Sequence, residues 1–351
     1  MEHLTGDVWD LVFVGRRSEV DRPRQSSFEL SSNAQAVIPF SNGLDSRAVA
    51  GLMDRSMKDG LVRVRLAAKL QESEGLAGRR LAFTNVPYRV GGNSVESSAR
   101  SRGFKFALIS GIAAYLSGAQ QVIVPESGQG ALGPSLVPVG QTHDDYRSHP
   151  TFTRRMEKFL KALFGVDVEF AFPRLWHTKA ETLRRFIEEC GDSSWTGTRS
   201  CWQQSRQVGV AGKRRQCGVC AACMLRRMSV HAAGATEPID QYVWERLDVA
   251  TFEQGVSGAF PPGRITNRMR EYAIAGALHL DHLAALRRPE VGASQLELPV
   301  VQLSHVLSLD RAEVGRRLKR LIAQHATEWS AFVSSLGEET FVRWWAAEIE
   351  S

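Results

Sequence analysis

Residues 37–46 read Val-Ile-Pro-Phe-Ser-Asn-Gly-Leu-Asp-Ser, and Ala48, Val49, Leu52 and Met53 follow at helical spacing. An apolar run, a tight polar loop and a helix start in succession predict a strand over 36–40 that turns sharply into a helix. Such a turn suits phosphate, because a helix's first N–H groups lack intrahelical acceptors and its dipole favours negative charge there. Gly43 lets a ligand approach the backbone closely, and Asn42 tolerates positive φ. Ser41 and Ser46 bring hydroxyls on either side of Leu44, and Asp45 can cap the helix or hold Mg²⁺. A plain capped helix after a strand satisfies the same residues, so this stretch alone leaves both readings open. It is not a Walker A loop, since no Gly-Lys-Ser/Thr follows.

Outward from this loop, strand-like and helix-like runs alternate. The sequence predicts a strand at 11–15, a pairing run at 28–30, and a helix over 45–71 interrupted at Gly60. A buried strand follows at 80–85, then a helix at 103–117, a strand at 121–125, a helix at 151–164, a strand at 167–172 and a helix at 178–189. This alternation implies right-handed βαβ units, hence an α/β fold with a parallel sheet and helices on both faces. Ligands of such sheets gather beyond the carboxyl ends of the strands, where the 41–46 loop belongs. Residues 126–150 read as a long glycine-rich link without periodicity. Helical periodicity alone remains at 265–286, 310–326 and 338–350. The expected organisation is an N-terminal extension (1–35), a nucleotide-binding domain (36–235) and a helical C-terminal region (236–351).

The 351 residues are 43% hydrophobic and 23% charged, an ordinary soluble composition, and no apolar run reaches membrane-span length. Met1-Glu2-His3 begins no signal peptide, so the cytoplasm is the expected location. The net charge of +6 fits an anionic ligand such as ATP and also fits nucleic acid. The basic residues are mostly scattered doublets, with one denser run at 213–215, so nucleic acid is the less favoured partner.

Of five cysteines, Cys201, Cys217, Cys220 and Cys223 lie close together, the last three as two overlapping Cys-x-x-Cys units. Four soft thiolates in a short span suit tetrahedral Zn²⁺, and a closed four-cysteine shell is structural rather than catalytic. An iron–sulfur cluster accepts the same ligands, so the metal's identity stays open. Gly218 permits the tight turn of a knuckle over 201–223. Cys190, at a helix end, reads as a partly buried free thiol.

The loop at 41–46 resembles the Ser-Gly-Gly-x-Asp-Ser signature of the PP-loop ATP pyrophosphatases, with Asn42 in place of the first glycine. Taken in order, Arg100-Ser-Arg102-Gly-Phe104, the loop starting at Glu126, Pro173…Thr178-Lys179-Ala180-Glu181 and Ser200-Cys201…Cys223 extend the resemblance to the QueC family, the 7-cyano-7-deazaguanine synthases. It spans 36–232 and implies a PP-loop, HUP-like nucleotide α-hydrolase fold with a zinc knuckle. The implied cofactors are ATP, Mg²⁺ and Zn²⁺. The implied reaction converts 7-carboxy-7-deazaguanine to an acyl-adenylate with loss of pyrophosphate, after which an amine attacks.

By motif match, Ser41, Asn42, Gly43, Leu44, Asp45, Ser46 and Arg100 would bind the nucleotide. Asp45, Lys179 and Arg102 would be catalytic, and Glu126, Gly128 and Arg102 would meet the deazaguanine. Arg100 and Arg102 read equally well as surface residues flanking a helix, and Lys179 as a surface lysine in a capped first turn. His143 with Asp144 and Asp145 invites a metal or acid–base reading on a polar loop.

The segment 126–150 lacks the synthases' aromatic-Ser-Gly-Tyr-Pro-Asp-Cys-Arg pattern, and the chain extends well beyond the family core at both ends. In this the chain resembles QueC-like proteins of anti-phage defence operons, which implies a partner protein from the same operon as amine acceptor. Ammonia as acceptor, giving the nitrile of the queuosine route, is the alternative. A tRNA-modifying PP-loop enzyme and a non-catalytic nucleotide-binding scaffold stand behind it. Retention of Asp45, Ser46 and Lys179 argues against the scaffold. Homodimerisation stays open.

Overall fold

The computed structural model describes residues 2–5, 8, 10, 12, 14, 15, 33–67, 83–87, 102–140, 142, 146–203 and 208–347. The chain divides into two compact units. The first comprises Met1–Ser41, Met53–Val124 and Phe152–Ala171, and the second Asn42–Leu52, Pro125–Thr151 and Phe172–Ser351.

The first unit, which opens with the short helix α1 (Glu2–Thr5), is built on a five-stranded parallel sheet. Its strands are β1 (Ala36–Pro39), β2 (Leu61–Ala67), β3 (Phe83–Pro87), β4 (Gln121–Ile123) and β5 (Glu169–Ala171), in the order β3-β2-β1-β4-β5. Ala36 pairs with Leu61 on one side and Gln121 on the other, so β1 is the central strand. Ala36, Val37 and Ile38 are wholly buried, as a strand covered on both faces demands. The chain builds outward from one side of β1 and then from the other, so the strand order reverses beside it. In open α/β sheets this switch point is where ligands bind.

Helix α2 (Leu44–Met57) follows β1 directly. The helix expected over 45–71 is a correction, because Lys58 turns to φ 48° after Met57 and the chain re-enters the sheet as β2. Leu61-Val-Arg-Val-Arg-Leu-Ala alternates with a strand's period of two, and Arg63 is tolerated in the interior through an ion pair to Asp54 at 2.9 Å. Of the strand expected at 11–15, Val12, Val14 and Gly15 are described and belong to no strand, with Val12 and Val14 largely exposed. Leu11, Phe13 and the run at 28–30 lie outside the described residues. Helix α3 (Arg102–Ser117) packs on β1 and β4.

The second unit supplies an unexpected element. Within the supposed link 126–150, Gly128–Leu136 form helix α4 despite three glycines and Pro134, all poor helix formers. Tertiary packing overrides propensity there, since Ala131 and Leu132 are buried with Leu175, Leu283, Leu318 and Leu321. The Gly128 N–H donates to His177 O at 2.8 Å, and a side chain at Gly128 would collide with Leu175 O. Helix α5 (Pro150–Phe164) precedes β5 and lies in the first unit from Phe152 onward; there Gly111 of α3 fits against Leu160, and Phe104 meets Phe159 edge-on at 5.6 Å.

Helix α6 (Lys179–Cys190) starts at a Thr178 cap and stops at Gly191 in the left-handed conformation. After it come an antiparallel hairpin of β6 (Gly209–Val210) and β7 (Lys213–Arg214) and helix α7 (Ala221–Ala232). After an irregular stretch from 233 to 266 with short 3-10 turns and the bridges Gln216–Tyr242 and Trp244–Val256 come the helices α8 (Asn267–Ala285), α9 (Pro289–Gln295), α10 (Glu297–Leu307), α11 (Arg311–Leu336) and α12 (Phe341–Ala347). Cys217, Cys223, Met224, Trp244, Phe252, Leu280, Trp329 and Phe341 share one apolar core, so these late helices enclose the knuckle. No helix among the described residues is long and apolar enough to cross a membrane.

Candidate functional site

The loop after β1 leaves Ser41 and Asn42 exposed and Gly43 half-buried, while Leu44, Asp45 and Ser46 are buried in the first turn of α2. Arg47 N–H donates to Gly43 O at 3.1 Å, which makes Gly43 the residue that starts the helix. Arg199 N–H donates to Asn42 O at 2.6 Å, and Arg47 Nη1 donates to Ser194 Oγ at 3.3 Å. The segment 194–199 therefore clasps the loop and the start of α2 through one backbone bond and one side-chain bond.

Asp45 Oδ2 pairs with Lys179 Nζ, and both side chains are nearly enclosed. Asp45 Oδ1 is buried without a hydrogen-bond partner, so the carboxylate keeps an unspent acceptor. Burial, helped by the positive charge of Arg226, pushes Lys179 down to about 7. Arg226 is itself wholly buried and is held by Glu237 at 2.8 Å and by Thr198 Oγ1 at 2.8 Å. Lys179 is the first residue of α6, whose cap is a reciprocal box: Glu181 N–H donates to Thr178 Oγ1 at 3.1 Å and Thr178 N–H donates to Glu181 Oε2 at 2.8 Å. The lysine sits in a capped first turn, but it is interior rather than on the surface.

Three further groups tie this turn to distant parts of the second unit. Lys179 N–H donates to Gln129 Oε1 at 2.8 Å, and Gln129 Nε2 meets His325 Nδ1 at 2.8 Å. Thr178 Oγ1 donates to Glu328 Oε1 at 2.6 Å. Arg320 clasps both carboxylate oxygens of Glu181. Sequence reading misses Gln129, Arg226, His325 and Glu328. Each is a polar residue that the packing buries, which becomes legible only once the packing is known.

The other candidates are placed as follows. Arg102 is exposed at the start of α3, with its guanidinium 5.4 Å from the Phe106 ring centroid. Glu126 is half-buried, its carboxylate lying over Gly130 in the first turn of α4. Gly128 packs against the protein's own backbone at Leu175. Arg100, His143, Asp144 and Asp145 lie outside the described residues.

The second centre is a thiol shell. The sulfurs of Cys201, Cys217, Cys220 and Cys223 all lie within 4.8 Å of one another, and those of Cys217 and Cys223 are 3.7 Å apart. A tetrahedral ion with metal–sulfur bonds of about 2.3 Å sets its ligand sulfurs about 3.8 Å apart, so the spacing fits. Backbone N–H groups of Cys217 and Cys220 donate to Cys201 Sγ at 3.2 Å and Cys217 Sγ at 3.3 Å, bonds that favour thiolates. Burial pushes the Cys217 and Cys223 thiols up, a cost that a bound cation would offset. Gly218 at φ 90° makes the turn between Cys217 and Cys220, and a Cβ there would lie 2.7 Å from Trp244 O. Trp244 N–H donates to Cys217 O at 3.0 Å, and Arg227 Nη1 donates to Trp244 O at 2.7 Å. Cys190 stands apart from this group, half-buried at the end of α6.

Fold and site together comprise a five-stranded parallel sheet in the first unit and, in the second, a helix opened by a polar loop, a buried Asp–Lys pair and a closed four-thiol shell. Residues 131–234 match the family model described as "Queuosine biosynthesis protein QueC". That segment carries Lys179 and all four knuckle cysteines and is QueC-like; the 41–46 loop and everything beyond 234 lie outside the match. Among curated proteins, none matches the chain.

Proposed function

We propose that the protein uses ATP to activate 7-carboxy-7-deazaguanine and passes the acyl group to an amine of a partner protein in anti-phage defence. A substrate carboxylate oxygen attacks the α-phosphorus of ATP, the bond to the bridging α–β oxygen breaks, and pyrophosphate leaves. The amine nitrogen then attacks the acyl carbon, AMP departs with its oxygen, and the nitrogen loses a proton. Activation is needed because an unmodified carboxylate would have to expel oxide, whereas AMP leaves readily.

The observation that carries this reading is the buried Asp45–Lys179 pair, which joins the first turns of α2 and α6. A cation held there can neutralise the charge that develops on departing pyrophosphate, in a site where low dielectric strengthens the interaction. Mg²⁺ would be held by Asp45, whose Oδ1 has no hydrogen-bond partner, and would offset phosphate charge. Zn²⁺ would be held by Cys201, Cys217, Cys220 and Cys223 in a structural role. On this reading residues 36–235 form the nucleotide-binding domain, with Arg102, Glu126 and Gly128 serving substrate and Ser41 to Ser46 and Arg100 serving nucleotide. The QueC-like segment supports deazaguanine chemistry; the chain's length beyond it motivates a protein acceptor over ammonia.

The test is incubation with ATP, Mg²⁺, carboxy-deazaguanine and the natural partner. Pyrophosphate release with a mass increase on the partner is expected. Absence of release overturns the proposal, and release with free nitrile as product restricts it to the activation step.

A further inference from the structure

The main chain at Lys179 is held in part from outside the QueC-like segment. A directional hydrogen-bond chain runs from α11 to the lysine's own backbone. Lys179 N–H needs an acceptor, so the Gln129 atom facing it at 2.8 Å is Oε1. Gln129 Nε2 is then the donor to His325 Nδ1 at 2.8 Å, and His325 Nε2–H donates to Leu280 O at 2.8 Å. Each step fixes the next, and Gln129 and His325 are both almost fully buried. A second chain starts one residue earlier, where Thr178 Oγ1 caps α6 and donates to Glu328 Oε1, which also accepts from Gln324 Nε2 at 3.0 Å. Arg320 adds a third grip through Glu181 and Trp176 O.

Residues 320, 324, 325 and 328 are neighbours on one side of α11, spaced at helical intervals. Apart from Leu280 and the bond between Gln324 and Glu328 within α11, their partners here lie in α4 or in the first turn and lead-in of α6. The far end of α6 packs instead through Phe186, Ile187 and Cys190 in a cluster with Leu44, Ala48, Trp195 and Val230.

We propose that α11 is a brace that positions Lys179 for catalysis, with Gln129, His325 and Glu328 as positioning residues that act through the main chain and cap of the lysine's turn. This rests on the activation reading above. The lysine reaches Asp45 from a turn that these bonds hold in place, so loosening the brace moves the cation without removing it. Small displacements of a positioned group cost rate rather than affinity, about 10- to 100-fold for shifts near 1 Å.

The test uses the full chain with Gln129→Met and Glu328→Leu, which remove the acceptors but keep the volume, and Glu328→Gln, which keeps an acceptor for Thr178. The expected result is a kcat for pyrophosphate release lowered about 10- to 100-fold in the first two, KM for ATP within about 2-fold, and a wild-type kcat in Glu328→Gln. Amide hydrogen exchange at 178–183 should speed up in the first two, while α7 stays protected as a folding control. Faster exchange with unchanged kcat overturns the positioning role, and so does unchanged exchange. Should the wild-type chain release no pyrophosphate, the functional reading falls separately. Exchange alone then judges the brace, upheld if Lys179 loosens and overturned if it does not.

Discussion

Replacing Glu328 with Gln should stabilise the protein at neutral pH and leave it unchanged in acid. Glu328 is only 3% exposed, and its Oε1 accepts from Thr178 and Gln324 while its Oε2 is buried without a partner. Burial pushes its carboxyl up from 4.5 to about 6. Between those values the folded protein binds more protons than the unfolded chain, so stability falls as pH rises through the window. Above it the full penalty applies, and the gap corresponds to about 2 kcal/mol. Gln is isosteric, keeps the acceptor for Thr178 and never ionises. The stability difference between variant and wild type should therefore be near zero below the window, grow through it and stay flat above. His279 and His325, which burial pushes down to about 4, also titrate in acid, but both chains carry them and they cancel in the difference. Urea unfolding at a series of pH values, followed by tryptophan fluorescence, measures it. A difference that ignores pH, or that grows toward acid, refutes the argument.

Lys179→Met should cost about 3–5 kcal/mol, because it strands the Asp45 carboxylate in the interior with both oxygens unpartnered, and pyrophosphate release should fall with it. Asp45→Asn, an uncharged near-isostere, should destabilise less than Lys179→Met, because a lysine already pushed down to about 7 can shed its proton, yet should lose activity at least about tenfold; unchanged turnover in steady-state assay would remove Asp45 from the chemistry. Purified protein should carry about one zinc per chain by elemental analysis, and Cys223→Ser should abolish retention and lower the melting temperature. Less than half an equivalent in carefully prepared wild type counts against the zinc assignment.

Much of the first unit is legible in sequence because its signals are local. The apolar run at 36–39 and the helix at 102–117 declare themselves within a few residues, as the Thr178 capping box does in the second unit. Strand β2 is obscured because Arg63 and Arg65 interrupt an apolar run, and only the ion pair to Asp54 explains a buried arginine. Helix α4 is obscured because its glycines and proline argue against a helix that neighbours in α8 and α11 impose. The thiol shell is legible because its ligand spacing is itself the chemistry. Asp45 and Lys179 each stand out as candidates, but their partnership does not, since the two lie 134 positions apart and no periodicity spans such a distance. The Gln129–His325 bond, between residues 196 apart in the chain, is beyond any local pattern.

The bond from Trp244 to Cys217 has a practical corollary for anyone shortening the gene. Trimming the product to its QueC-like portion would delete the indole and the late helices that roof the sulfurs, leaving Gly218 and the thiols open to water and oxidants. The knuckle and the tail are a single keystone arrangement, and neither half should be expected to survive purification without the other.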